Sequence, residues 1–177
     1  IAESSSLSDK LELHATMNPA KEVGGDLYDY FVRDNLLYFC IGDVAGKGVP
    51  AALVMTTVCG AFRLLAESES EPQRIVARMN DMMTRDNSMT IFVTFFAGVF
   101  NLDTGHPWYC NAGHKAPFKL SNNDPCSTLN VNRQLPVGAM PDVVYLQQET
   151  TLAPCTTLFL YTDGLDEAEN AQSQMYA

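Results

Sequence analysis

The stretch DLYDYFVRDNLLYFCIGDV, residues 26–44, decides the fold. Two runs rich in aromatic and aliphatic side chains flank Asp34 and Asn35, a residue pair that suits a two-residue hairpin turn. A turn of that length fixes the register, because each residue then pairs with the one equally far from the turn on the other strand. The sequence therefore predicts an antiparallel hairpin in which Asp26 lies directly opposite Asp43.

Two facing carboxylates need a compensating charge. Directly opposed residues have Cβ atoms about 4.5–5.5 Å apart, and like charges at that separation destabilise a sheet. A divalent cation such as Mg²⁺ or Mn²⁺ would neutralise Asp26 and Asp43, because these ions prefer carboxylate and carbonyl oxygens. Two alternatives stay open: the register slips, or one aspartate ends its strand and faces solvent. Asp29 falls on the other face, opposite Cys40, and we interpret it as structural.

A third carboxylate ends another apolar strand. Asp163 follows LFLYT and precedes Gly164, much as Asp43 follows YFCIG and precedes a glycine-rich loop. Aspartates delivered from several strand ends make a site for a hard cation. The acidic run at 163–169 holds further carboxylates, but such runs are usually solvated, so Asp163 alone is a candidate ligand.

The glycine-rich loop GDVAGKG, residues 42–48, is a candidate phosphate contact. It fails the P-loop pattern, because the spacing is short and a glycine stands where that pattern needs Ser or Thr. Gly46 and Gly48 still allow close backbone approach to an anion, and Lys47 carries the matching charge. The alternative is a solvated lysine in a turn.

The rest of the chain predicts an α+β domain. Residues 50–67 and 72–86 place apolar side chains at helical spacing, and each run opens with a proline suited to a first helical position. The predicted strands that follow cover 91–100, 108–111, 116–120, 143–149 and 156–162. Two consecutive helices inserted among antiparallel strands argue against a doubly wound parallel sheet.

Composition excludes several function classes. The chain has 177 residues, enough for one domain over 1–177, and its net charge of −10 disfavours nucleic acid and anionic membrane surfaces. The 5 cysteines are scattered without a C-x-x-C pair, which argues against structural zinc or a disulfide framework. No continuous apolar run is long enough to predict a membrane segment, so we expect a soluble, cytoplasmic protein.

His114 lies in the turn motif NAGH at 111–114. Few potential metal ligands lie near it in sequence, so we interpret it as a buried, hydrogen-bonded turn histidine rather than a metal ligand.

Four strings in order carry a family resemblance: EVGGDLYDYF (22–31), IGDVAGKGVPAALVMT (41–56), NAGHKAPF (111–118) and LFLYTDGLDEAEN (158–170). Together they resemble the bacterial SpoIIE/RsbU branch of the metal-dependent PPM protein phosphatases, the superfamily that includes the type 2C enzymes. The resemblance implies a four-layer α-β-β-α sandwich of two antiparallel sheets flanked by helices.

The resemblance also implies a site. By position in the family motifs, Asp26, Asp43 and Asp163 are metal ligands, and the backbone carbonyl of Val44 completes coordination, so that the Val44 side chain should be replaceable. The implied cofactor is two Mn²⁺ or Mg²⁺ ions. The implied nucleophile is a metal-activated water, with no catalytic protein nucleophile.

The implied activity is hydrolysis of phosphoserine or phosphothreonine on a regulatory protein of the anti-sigma-factor antagonist type. Members of this branch are commonly fused to sensor or receiver domains, so a larger regulatory parent is expected. The family's further acidic motif, D-D-x-T, does not occur in this sequence, so the domain is expected to be truncated at its C-terminus. The alternatives are a phosphatase-like binding module without turnover and a small-molecule phosphohydrolase.

Overall fold

The computed structural model describes residues 2–8, 11–17, 24–85, 91–121 and 125–166. Its elements, in chain order, are β1 (Ala2–Ser8), β2 (Leu11–Thr16), β3 (Asp26–Arg33), β4 (Leu36–Val44), α1 (Val49–Ala66), α2 (Pro72–Arg85), β5 (Val93–Asn101), β6 (Pro107–Ala112), β7 (Phe118–Leu120), β8 (Ser127–Thr128), β9 (Gln148–Glu149), β10 (Thr157–Phe159) and α3 (Asp163–Asp166).

The predicted hairpin register is confirmed. Strands β3 and β4 pair antiparallel with Asp26 opposite Asp43 and Asp29 opposite Cys40. The turn residues Asp34 and Asn35 have φ angles of 50° and 62°. Left-handed conformation at both positions is what a type I′ turn requires, and this turn matches the twist of the strands it joins.

The hairpin is part of a sheet with the order β3-β4-β5-β6-β9, and α1 and α2 pack on one face of it. Alternate β4 side chains, including Tyr38 and Val44, point into this core, where they meet Phe62 of α1 and Val76 of α2. Because strand side chains alternate between faces, Asp43 and Asp26 point to the opposite face.

That opposite face packs against a second sheet, with the order β10-β7-β8. Phe96 and Tyr109 of the first sheet form a smaller core with Leu129, and Leu160, which directly follows β10, packs against it. Strands β1 and β2 pair with each other in a separate two-stranded sheet. The predicted α+β fold of antiparallel sheets with helices is confirmed, and α1 and α2 form the helical layer within the described residues.

Three predicted strands are shorter than expected: 116–120 forms a strand only at Phe118–Leu120, and 156–162 only at Thr157–Phe159. The alternating run at 143–149 forms a strand only at Gln148–Glu149. Hydrogen bonds to side-chain amides hold the rest of this segment. The Leu146 N–H donates to Gln134 Oε1 at 2.5 Å, and the Tyr145 hydroxyl donates to Oδ1 of buried Asn80 at 3.3 Å. The segment is therefore held by amide side chains from distant parts of the chain rather than by strand pairing.

Helix α1 is long and apolar enough to cross a membrane by length and composition alone. In this structure it lies on the main sheet, with Pro50 at its second position, and its buried residues are Ala51, Val58, Ala61, Phe62, Leu65 and Ala66. One face of α1 therefore packs in the main core, while other positions are exposed, and 28% of this span is buried.

A charged contact joins α1 to β3. Arg63 Nε and Nη2 donate to the two carboxylate oxygens of Asp29 at 2.6 and 2.5 Å. The Asp29 side chain is 15% exposed and that of Arg63 is 55% exposed. The structure thus gives Asp29 a bidentate partner on the helical face, in agreement with its interpretation as structural.

We expect the two side chains to be coupled by about 1 kcal/mol, because bidentate geometry and partial burial raise the pair above an ordinary surface ion pair. The check is a double-mutant cycle of Asp29→Asn and Arg63→Met, followed by urea unfolding at low and high salt. The coupling should shrink in high salt, since Arg63 is exposed to solvent. A coupling energy near zero at low salt would contradict this account.

Candidate metal centre

Three aspartates from distant parts of the chain come together at one end of the sandwich. Asp26 begins β3, Asp43 lies near the end of β4, and Asp163 begins α3, just after β10. One carboxylate oxygen from each lies within 4.8 Å of those from the other two, and all three residues are partly buried. The structure therefore brings together the three residues that the sequence singled out as candidate metal ligands; residues 167–169 of the acidic run lie outside the described residues.

The electrostatics of the cluster favour a cation. Burial raises the pKa of Asp26, the charge of Asp163 raises it further, and a hydrogen bond with the Thr162 side chain lowers it. Burial and a nearby like charge both disfavour the ionised carboxylate. A divalent cation among the three oxygens would reverse both effects, so this donor set fits a hard metal ion.

The backbone around Val44 is packed closely against Gly25. The Val44 N–H donates to the Gly25 carbonyl at 3.2 Å. A Cβ added to Gly25 would lie 2.8 Å from the Val44 carbonyl oxygen and 3.2 Å from Asp43 Oδ1. Gly25 therefore leaves room for the carbonyl and the carboxylate, a role that the sequence analysis missed although the Gly-Gly pair before Asp26 signalled it.

The Val44 side chain lies on the other side of the strand, in the main core, and is 1% exposed. The expectation that metal coordination tolerates a change of this side chain stays a prediction, but the side chain is part of the core. Truncating it would leave a cavity and lower stability even if the carbonyl stayed in place.

The loop between β4 and α1 has the open backbone that the sequence predicted. Gly46 and Gly48 have φ angles of 134° and 75°, and Lys47 is exposed. Gly48 caps α1 without a side-chain hydrogen bond to the helix. Contact of Gly46, Lys47 and Gly48 with phosphate stays a prediction.

His114 lies beside the carboxylate cluster without being part of it. It is 7% exposed, and both ring nitrogens are hydrogen-bonded, which confirms the prediction of a buried turn histidine. Burial lowers its pKa to about 4, although the bond to the Tyr161 carbonyl and the charge of Asp163 act in the opposite direction. The imidazole is therefore neutral at physiological pH.

Solved structures share this fold. RsbX in complex with magnesium superposes with a TM-score of 0.76 at 17% identity, covering 93% of this chain and 79% of that chain. The SiaA-PP2C domain of Pseudomonas aeruginosa gives 0.72 at 22% identity, covering 86% and 61%. These likenesses define the fold as that of a PP2C-type phosphatase domain.

The chain belongs to the SpoIIE family, whose model, described as Stage II sporulation protein E, matches residues 33–177. The phosphoserine phosphatase RsbU of Bacillus subtilis (strain 168) is 31% identical over 160 residues, which cover 90% of this chain and 48% of RsbU. The chain thus spans about half the length of that relative. The resemblance to the SpoIIE/RsbU branch is confirmed.

Proposed function

We propose that this chain is the catalytic domain of a metal-dependent phosphatase that hydrolyses phosphoserine or phosphothreonine on a regulatory protein. The observation that carries the proposal is the placement of Asp26, Asp43 and Asp163, whose carboxylate oxygens lie within 4.8 Å of one another. Three converging, partly buried carboxylates offer the oxygen donors that a hard divalent cation prefers.

The cofactor in this proposal is Mn²⁺ or Mg²⁺, two ions in the complete site. The ions would be bound by the carboxylates of Asp26, Asp43 and Asp163 and by the Val44 carbonyl. These four oxygen donors leave coordination positions for water. When bound, such ions activate water as the nucleophile and offset negative charge on the phosphoryl oxygens.

The residues of the chain position and balance this centre. Main-chain pairing of β3 and β4 fixes the separation of Asp26 and Asp43. The hydrogen bond between the Thr162 side chain and Asp26 joins the segment that follows β10 to the hairpin. Lys47, exposed in the glycine loop, would attract the phosphate of a substrate. No side chain acts as a covalent nucleophile in this proposal.

The proposed substrate is a phosphorylated protein of the anti-sigma-factor antagonist type. Support comes from the 31% identity to a phosphoserine phosphatase, RsbU, over 90% of this chain. A sensor or receiver domain fused to this domain in the parent protein is part of the same proposal.

The test measures inorganic phosphate released from a phosphoserine-bearing antagonist-type protein, first with Mn²⁺ and then with EDTA. The chain is assayed beside a version extended through its native downstream residues. We expect phosphate release that depends on Mn²⁺ and that EDTA abolishes, because removal of the ion takes away the Lewis acid that activates the attacking water.

Each contrary result identifies an alternative. Mn²⁺ binding without phosphate release by either version would favour a binding module. Release from nucleotides or sugar phosphates, but not from the phosphoprotein, would favour a small-molecule phosphohydrolase. Release that is unaffected by EDTA would contradict the proposal.

A further inference from the structure

The His114 ring bridges the two sheets of the sandwich. Its Nδ1 lies 2.9 Å from Thr94 Oγ1 on β5, and its Nε2 lies 3.1 Å from the Tyr161 carbonyl oxygen after β10. A carbonyl only accepts hydrogen bonds, so Nε2 carries the proton. Nδ1 is then the acceptor for the Thr94 hydroxyl, and the two bonds together select one neutral tautomer.

Both partners of the ring adjoin candidate metal ligands. Thr94 pairs directly with Asp43 across the ladder of β4 and β5. Tyr161 precedes Asp163 by only two residues. The ring therefore spans from the strand pair that carries Asp43 to the chain segment that carries Asp163.

The backbone of His114 is itself fixed. Asn111, 3% exposed, accepts from the His114 N–H at 3.1 Å and donates to the His114 carbonyl at 3.0 Å. Gly113 precedes it with a φ angle of 74° and forms a bridge with Phe95 of β5. Because these contacts fix the turn on the main sheet, the two ring hydrogen bonds set the distance between Thr94 on that sheet and Tyr161, which follows β10.

We propose that His114 is a positioning residue: through Thr94 and Tyr161 it sets the separation of Asp163 from Asp43, and hence the affinity of the carboxylate cluster for a divalent cation. This inference rests on the proposed function, because it assumes that the cluster binds metal. A histidine that only stabilised the sandwich would contribute to folding and leave metal affinity unchanged, so the two roles are separable by measurement.

The experiment measures the Mn²⁺ dissociation constant by calorimetry, and the unfolding midpoint in EDTA, for the whole chain and its variants. His114→Leu removes both ring hydrogen bonds, and we expect it to weaken Mn²⁺ binding by about 10- to 100-fold, as loss of outer-sphere support does at other metal sites. His114→Gln keeps a donor that can reach the Tyr161 carbonyl and should recover most of that loss. Thr94→Val removes only the donor to Nδ1 and should weaken binding toward the lower end of that range, about 10-fold.

The matched control is Tyr109→Phe. The Tyr109 hydroxyl, on the same strand that leads to His114, donates to the Asn130 carbonyl at 2.7 Å, so this variant loses a part-buried hydrogen bond away from the aspartates. We expect it to lower stability while leaving the Mn²⁺ dissociation constant within about twofold.

The outcomes separate the two proposals. Suppose that the wild-type chain binds Mn²⁺ and that Thr94→Val, His114→Gln and any folded His114→Leu bind it with the same dissociation constant. Positioning by His114 is then refuted, and the proposed function stands. Equal weakening by Tyr109→Phe would also refute it, because the effect would then follow general stability. If the wild-type chain binds no Mn²⁺, the proposed function fails and the positioning role fails with it.

Discussion

Replacing Asp43 by asparagine is expected to abolish Mn²⁺-dependent phosphate release, with a loss of about 100-fold or more, while leaving the metal-free fold as stable as the wild type or more so. The asparagine amide is neutral and cannot supply the negative charge that a hard divalent cation prefers. In the metal-free chain the same carboxylate faces Asp26 directly across the hairpin, so its removal relieves a repulsion. The free energy of unfolding should stay unchanged or rise by up to about 1 kcal/mol.

Urea unfolding in EDTA and in Mn²⁺ separates the two effects. Free Mn²⁺ at about 100 times its dissociation constant should stabilise the wild-type chain by about 2.7 kcal/mol, since the ion binds only the folded state. Asp43→Asn should lose most of this gain.

The matched control is Asp34→Asn, the same chemical change at the other end of the same hairpin. The Asp34 side chain is 84% exposed, and its left-handed φ angle of 50° is one that asparagine adopts readily. It should keep both the metal-induced gain and the activity. A loss of metal-free stability by Asp43→Asn, or retained metal-dependent activity, would contradict the assignment of Asp43 to a metal centre.

The pairing of Asp26 with Asp43 could be predicted from the sequence because the turn length alone determines the hairpin register. A two-residue turn at Asp34 and Asn35 leaves one register, and strand alternation then decides which side chains share a face. Asp26 and Asp43 follow from these two facts alone. Asp29 falls on the helical face by the same reasoning, and the structure places Arg63 against it.

The rest of the site depends on contacts that local patterns do not encode. The position of Asp163 relative to the hairpin is set by the packing of two sheets. The sequence made Asp163 a candidate ligand because it ends an apolar strand, but no local pattern placed it next to Asp26 and Asp43. His114 and Tyr161 are 47 residues apart, and Asn80 donates to the Met140 carbonyl across 60 residues. The alternation near Tyr145 resembled a strand, but the side-chain amide of Gln134 bonds the Leu146 backbone instead, and buried Asn80 accepts from the Tyr145 hydroxyl.

The glycines of the loop motif have different roles, and only the structure separates them. Gly46 and Gly48 have positive φ angles; a Cβ at Gly48 would meet nothing within 4 Å, and one at Gly46 would meet only Ala51 Cβ, at 4.0 Å. Gly42, by contrast, lies inside the ladder, where a Cβ would be 2.6 Å from the Thr94 carbonyl oxygen and 2.9 Å from Phe95 Cδ2. The close approach at Gly42 is therefore to the neighbouring strand rather than to a ligand.

Gly42→Ala is accordingly expected to be strongly destabilising. The first clash is with a backbone atom of the β4–β5 ladder, so the ladder itself must shift. Overpacking of this kind costs about 1–3 kcal/mol, and sometimes more, in the free energy of unfolding. The shift would also move Thr94 and the adjacent Asp43, so Mn²⁺ affinity should fall together with stability. Urea unfolding in EDTA measures the first effect, and calorimetry with Mn²⁺ measures the second.

Gly60→Ala is the control for this substitution. Gly60 is exposed on α1, and a Cβ there would meet nothing within 4 Å. Alanine in an exposed helix interior should raise stability by about 0.5–1 kcal/mol, because glycine loses more conformational entropy on folding. Opposite signs for the two glycine-to-alanine changes would show that local space, rather than residue type, decides the outcome. If Gly42→Ala were as stable as the wild type, that result would contradict the close packing of β4 on β5 beside the carboxylates. It would also contradict a rigid separation of Asp43 from the second sheet.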